Sequence, residues 1–256
     1  MKWRPVRTKR RSQAVQFAVL LVSCTLVMVA CTSRPAHTDS DPADTTDPLA
    51  TLAADAEIMS HRWYAPPDID LDAPDIHVAR AYAESEWSYW RTADISTAYP
   101  GYDKVTVDRF TSPTPRTGTA DHHILEVRTV TYNGHPATEV HICNDYMSTA
   151  RPTDTGWMRK DSYRYQSLRV QRTNWSTAST PQLDYANRMP YPTWNVFDGW
   201  DVRPFTDRRM DYGLPWRNCY SAMPGFDYDA PFTEPVSGPP PVEPFDPGWP
   251  TAIDPG

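Results

Sequence analysis

Lysine is scarce in this chain of 256 residues: of its 25 cationic side chains, only Lys2, Lys9, Lys104 and Lys160 are lysine. Six of the 25 lie before Ser12, where no acidic residue occurs. The remainder therefore sets 19 cations against 32 carboxylates, a net charge of about −13. A surface of that sign excludes a nucleic-acid partner, because phosphate binding needs clustered positive charge. It also excludes electrostatic docking on anionic lipid. Cysteine is equally sparse, with Cys24, Cys31, Cys143 and Cys219 alone. Several chemical signatures are missing altogether: there is no G-x-S-x-G elbow, no phosphate loop and no H-E-x-x-H pair. The sequence accordingly assigns no catalytic residue, no metal ligand and no cofactor.

What is present begins with a leader. Met1 to Arg11 is basic, and Ala14 to Ala30 is mostly Ala, Val, Leu, Phe and Met. A charged stretch, a short apolar run and small residues at its end mark a secretory signal. The positive segment stays on the cytoplasmic side, so the chain after it is translocated. The run closes in Val-Met-Val-Ala-Cys31, with Ala30 directly before the thiol. This resembles the bacterial lipobox, and the resemblance implies that Cys31 becomes the lipidated first residue of the mature protein. Leu21-Val22-Ser23-Cys24 is a second match, but it would strand the apolar residues up to Ala30 to no purpose. The seventeen residues from Ala14 to Ala30, interrupted by Gln16, Ser23 and Thr25, sit at the lower limit for crossing a bilayer of roughly 30 Å, so an uncleaved span is the competing reading. Each buried methylene adds about 0.8 kcal/mol, so palmitate-type acyl chains in pairs give stable anchoring. The expected location is the cell membrane, lipid-anchored on its extracytoplasmic face.

With Cys24 removed and Cys31 lipidated, Cys143 and Cys219 remain. In an oxidising compartment two such cysteines read as one disulfide. It would close a loop of roughly 75 residues and contribute about 2–4 kcal/mol. Free thiols or metal ligands are the alternative, without any close Cys or His spacing to support them. Arginine excess with abundant Ala, Asp, Thr and Pro is a composition associated with high-GC bacteria.

Four segments follow along the chain: a signal peptide at 1–30, a disordered polar tether at 31–46, an α+β globular domain at 47–223, and a Pro-rich disordered tail at 224–256. Within the domain, helices come first. Asp47-Pro48 predicts a helix running through Leu52 and Ile58 toward Trp63, with proline at the first helical position. Asp72-Ala73-Pro74-Asp75 repeats that signal for a second helix. Ile76, Ala79, Ala83 and Trp90 form its stripe, Val78, Tyr82 and Tyr89 flank it, and Pro100-Gly101 ends it. Strands follow. Val105 and Val107 predict a first one, and His122 to Tyr132 and Ala137 to Cys143 flank the turn dipeptide Asn133-Gly134. Tyr163 to Thr173 and Trp194 to Phe205 give the rest, with a loop rich in Ser, Thr, Asn and Pro between Asn174 and Pro192.

The run Ala137-Thr138-Glu139-Val140-His141-Ile142-Cys143-Asn144-Asp145, with Gly199-Trp200-Asp201-Val202 and Cys219 after it, is similar to a set of exported NTF2-like lipoproteins. The resemblance covers about half the chain. It implies a cone in which a curved antiparallel sheet wraps N-terminal helices around a pocket, and a bond between Cys143 and Cys219. It implies no particular activity.

Two groups of residues carry chemical interest. His122, His123, Glu139 and His141 lie on adjoining strands, and alternation puts Glu139 and His141 on one face. Zinc or general-base chemistry is one reading; solvent-facing polar residues opposite Val140 and Ile142 is the simpler one. The second group is aromatic, since 10 Trp and 14 Tyr are many for a chain poor in Leu and Ile. Tyr82, Tyr89, Trp90, Trp194 and Trp200 are the candidates to line a pocket for a small apolar molecule, a glycan or an envelope protein. Core filling is the competing role. An enzyme using a buried Asp or His as base, and a purely structural envelope protein, are the alternatives to a binding module. Replacing Cys31 by Ser is expected to release the processed protein from membranes into the soluble fraction. Firm retention of the processed variant would mean that the thioether is not the anchor.

Overall fold

Among the described residues, long strands form where the chain alternates in twos, and one long helix occurs between the first two strands. A computed structural model describes residues 59–160, 163–173, 181–205, 219 and 233–253. Residues 1–58, which include the leader, Cys31, the tether and the start of the first expected helix, lie outside the described residues.

Strand β1 is Met59–Tyr64, followed by helix α1, Pro74–Thr92, and a short helix α2, Tyr102–Val105. Then come β2 Thr117–Tyr132, β3 His135–Asp145, β4 Thr149–Thr153, β5 Gly156–Lys160 and β6 Tyr163–Arg172. The last strands are β7 Leu183–Met189, β8 Trp200–Pro204, β9 Thr233–Val236 and β10 Trp249–Ala252. The class is α+β, dominated by antiparallel sheet. An eight-stranded sheet runs β8-β6-β3-β2-β4-β5-β9, with β1 parallel to β2, while β10 and β7 form a separate pair.

The hairpin of β2 and β3 is the longest pairing, and its turn is built as the sequence requires. Asn133 and Gly134 have φ of 51° and 81°, the two left-handed residues of a type I′ turn whose twist matches the flanking strands. Ile124, Val140, Ile142, Leu168, Val170 and Val202 share one sheet face and pack against α1 in the main core. A bulge between Ile124 and Glu126 inserts Leu125, so the inward set passes from even to odd positions along β2. Leu125 packs on the other side with Cys143, Cys219, Tyr163 and Tyr165. The disulfide Cys143–Cys219 spans 76 residues with a Cα–Cα distance of 5.3 Å, and both cysteines are fully buried.

Helix α1 starts at Pro74, its cap position held by Ala73 and not by an Asp side chain. Asp72 instead pairs with Arg188 at 2.6 Å. The helix ends at Thr92, well before Pro100. Ala93 adopts φ 56° and its N–H returns to the Tyr89 carbonyl, while the Asp94 carboxylate accepts from Ser96 N–H at 2.9 Å. That side-chain capture starts a new turn and stops the old one.

Three further expectations are corrected. Met59 to Trp63 belongs to a strand and not to a helix, because β2 pairs it on one side and Asp246 on the other: Trp63 N–H donates to the Asp246 carbonyl at 2.7 Å. Val105 closes α2, and Val107 is exposed outside any strand. The loop expected at 174–192 contains β7, and its residues 174–180 lie outside the described residues.

The Pro-rich tail is the largest revision. For residues 233–253 the expectation of disorder fails: β9 joins the main sheet and β10 pairs with β7. Trp249 is fully buried among core residues from α1. Proline forbids a continuous ladder, yet two strands of four residues, each with one proline (Pro235 and Pro250), still pair, and one large indole supplies the burial. Trp249→Ala is expected to lower the stability of the whole chain by about 3–5 kcal/mol in urea denaturation; an unchanged midpoint would return the tail to the solvent.

Candidate functional site

Almost the whole circumference of α1 is covered, and this places charged side chains where apolar ones would be expected. Arg80 and Glu84 sit one turn apart and are both buried. Arg80 donates to the carbonyls of Leu71 at 3.2 Å and Pro247 at 2.7 Å, and its guanidinium lies 4.6 Å from the ring centre of Trp249 and 5.7 Å from that of Trp63. Glu84 accepts from the indole N–H of Trp63 at 2.7 Å, from the indole N–H of Trp249 at 3.0 Å and from the Tyr99 hydroxyl. Burial raises the Glu84 carboxyl, with Arg80 and these three donors opposing the rise. Burial lowers the Arg80 guanidinium, with Glu84 the strongest opposing influence.

A second polar chain crosses the sheet. His61 Nδ1 lies 2.9 Å from His122 Nε2, and His122 Nδ1 lies 2.6 Å from Asn144 Oδ1. Asn144 Nδ2 donates to Gln166 Oε1 at 3.3 Å, and Gln166 Nε2 donates to Glu86 at 2.9 Å. Arg164 closes the chain on the other oxygen of Glu86 at 3.0 Å. These residues come from β1, β2, β3, β6 and α1, and only the Arg164 side chain is substantially exposed.

The histidine group therefore does not converge. His122 points inward with Asn144, whereas His123 stacks on Tyr64 with ring centres 4.8 Å apart. Glu139 and His141 share the opposite face, in line with strand alternation, but neither faces solvent. Glu139 is bound by Arg169 at 2.7 Å and Arg128 at 3.3 Å. His141 is buried, with Nδ1 3.0 Å from the Ser167 hydroxyl. Among the described residues no group of three or more His, Cys, Asp or Glu is arranged to hold a metal ion.

The aromatic candidates divide in two. Tyr82 is fully buried and meets Tyr102 edge-on at 5.2 Å. Tyr89 packs on Phe110 at 5.0 Å and its hydroxyl accepts the Phe110 N–H. Trp90 lies against Trp87 at 4.5 Å, in a cluster with Tyr146. All three serve packing. Trp194 and Trp200 instead line a cleft of about 230 Å3 with Tyr185, His77, Arg172 and Asp198. The Arg172 guanidinium lies 3.9 Å from the centre of the Trp200 ring. His77 faces the same cleft but is committed: its Nε2–H donates to Asp72 at 3.2 Å, and burial pushes the imidazole down to about 4.

A larger cavity of about 720 Å3 was not expected from the sequence. Met59, His61, Tyr99, Pro100, Tyr191 and Phe245 are among its lining residues. Its walls come from segments read as helix, loop and tail, so no local pattern announces it. Arg80 and Glu84 were missed because they read as the polar face of an amphipathic helix. The alanines at 79, 81 and 83 beside them were the available sign of close packing all round.

No helix among the described residues is long and apolar enough to cross a membrane. Burial holds His122 down to about 4, despite the hydrogen bond with Asn144 that raises it. A ring depressed in the folded state takes up its proton more readily when unfolded. Its contribution to stability is therefore lost as pH falls from about 6.5 toward 4. Glu86 acts in the opposite sense, since burial raises its carboxyl to about 7 and acidification then favours the folded chain. In 1H–15N spectra of the folded protein, His122 is expected to stay neutral at pH 5; titration near 6.5 would contradict its enclosure. Comparison of the chain with known protein families, characterised proteins and solved structures finds no match.

Proposed function

We propose that this chain is an exported, lipid-anchored binding module, held to the membrane through Cys31, with the Trp194–Trp200 cleft as its ligand site. The long helix α1 packed against β3, β6 and β8 supports an NTF2-like reading of the domain. The observation that carries the binding role is the composition of the cleft: indole and phenol rings from Trp194, Trp200 and Tyr185 beside Arg172, Asp198 and Asn195. Aromatic faces stack on the apolar faces of sugar rings, while polar groups at the rim take the hydroxyls. An envelope glycan is the ligand class this favours.

An enzymatic role is less well supported. The imidazole in the cleft donates its Nε2–H to Asp72, which Arg188 holds in turn at 2.6 Å, and burial that pushes it down to about 4 leaves it a weak base at neutral pH. Titration with tri-N-acetylglucosamine, followed by calorimetry, tests the binding role. Saturable binding that Trp200→Ala weakens by about tenfold or more is the expected outcome. Absence of binding, or binding indifferent to Trp200→Ala, would remove the glycan reading.

A further inference from the structure

Above about pH 7, where Glu86 is ionised, the chain of hydrogen bonds behind the larger cavity has one consistent arrangement of protons. Glu86, held by Arg164, presents a carboxylate oxygen to Gln166, so the Gln166 amide must place Nε2 there and Oε1 toward Asn144. Asn144 must then place Nδ2 toward Gln166 and Oδ1 toward His122. An amide oxygen only accepts, so His122 carries its proton on Nδ1 and offers the Nε2 lone pair to His61. His61 answers with Nδ1–H and is left with a bare lone pair on Nε2. That nitrogen makes no hydrogen bond among the described residues. His61 is itself only 4 % exposed, and it lines the cavity of about 720 Å3.

From this geometry we infer a second binding site, independent of the Trp194–Trp200 cleft: the cavity lined by Met59, Tyr99, Tyr191 and Phe245 takes a small, mainly apolar molecule whose single hydroxyl or N–H donates to His61 Nε2. Burial keeps His61 well below its ordinary range, with His122, Arg91 and Arg80 adding to the effect, so the ring is neutral and accepts. Two of the other polar residues at the wall are committed elsewhere: the Thr97 hydroxyl donates to the Asp94 carbonyl at 2.7 Å, and Tyr99 is engaged on both its polar groups. The Tyr99 hydroxyl is spent on Glu84, and the Tyr99 backbone N–H donates to Ser85 at 3.1 Å. An apolar body gains by leaving water, and a donor placed against the lone pair supplies orientation. A ligand of the same shape lacking the donor leaves a buried acceptor unsatisfied, and this is the source of selectivity.

The test compares 2-naphthol with 2-methoxynaphthalene, which match in apolar body and differ in the donor. By calorimetry on the full chain at about pH 8, where Glu86 is ionised, 2-naphthol is expected to bind about fivefold to tenfold more tightly. His61→Phe is expected to abolish the difference. Spectra of 15N-histidine-labelled wild-type protein give a measurement that does not depend on the variant folding: His61 should carry its proton on Nδ1, and its Nε2 signal should move on adding 2-naphthol and not on adding the ether. Equal affinity for the two probes, binding of neither, or a protonated Nε2 in the unliganded chain would each overturn the proposal.

Discussion

A buried guanidinium between two indoles organises this domain. Arg80 has left water completely, at a cost that only close compensation can offset. The compensation comes from both ends of the described chain. Trp63 belongs to the first strand, while Pro247 and Trp249 belong to the last segment. Glu84, one turn along α1, completes the arrangement by taking both indole N–H groups. Removing any one member strands a buried charge or donor, so the cluster constrains the termini of the domain together. It explains why a segment as rich in proline as residues 233–253 is nonetheless held: the carbonyl of Pro247 and the ring of Trp249 are contacts that no mobile tail can make.

The bulge at Leu125 has an equally wide effect. Without the extra residue, the alternation of β2 would keep one parity throughout. With it, His122 and Ile124 face α1 at one end while Val127 does so at the other, and Leu125 reaches the disulfide on the opposite side. The sheet is thereby given two interiors. One holds the aliphatic core and the polar chain from His61 to Glu86. The other holds Cys143–Cys219 and the Glu139, His141, Arg128 and Arg169 cluster. Four polar residues that look like one constellation in the sequence are distributed between these two sides.

The hairpin around Asn133-Gly134, strand β6 and helix α1 were legible because each depends on local rules: two residues that accept positive φ, a period of two, and a period near 3.6 begun by a proline. The site was legible only in part. Trp194 and Trp200 reach a cleft because a turn at Asp198-Gly199 brings them together, with Gly199 at φ 74°. Tyr82, Tyr89 and Trp90 carry the same side-chain chemistry and vanish into packing, since aromatic rings fill cores as readily as they line pockets. Strands β4, β5 and β9 were not anticipated, being four or five residues long, with β4 and β9 interrupted by Pro152 and Pro235.

The sequence by itself determined the charge, the central hairpin and the α+β class, because composition and short-range periodicity suffice for these. Only the tertiary structure decided which polar residues are buried, where the Pro-rich segment lies and which way the His61 imidazole offers its lone pair. Those outcomes depend on partners tens to well over a hundred residues away, such as Arg80 and Pro247. A residue's own neighbours in the chain carry no record of what will be packed against it.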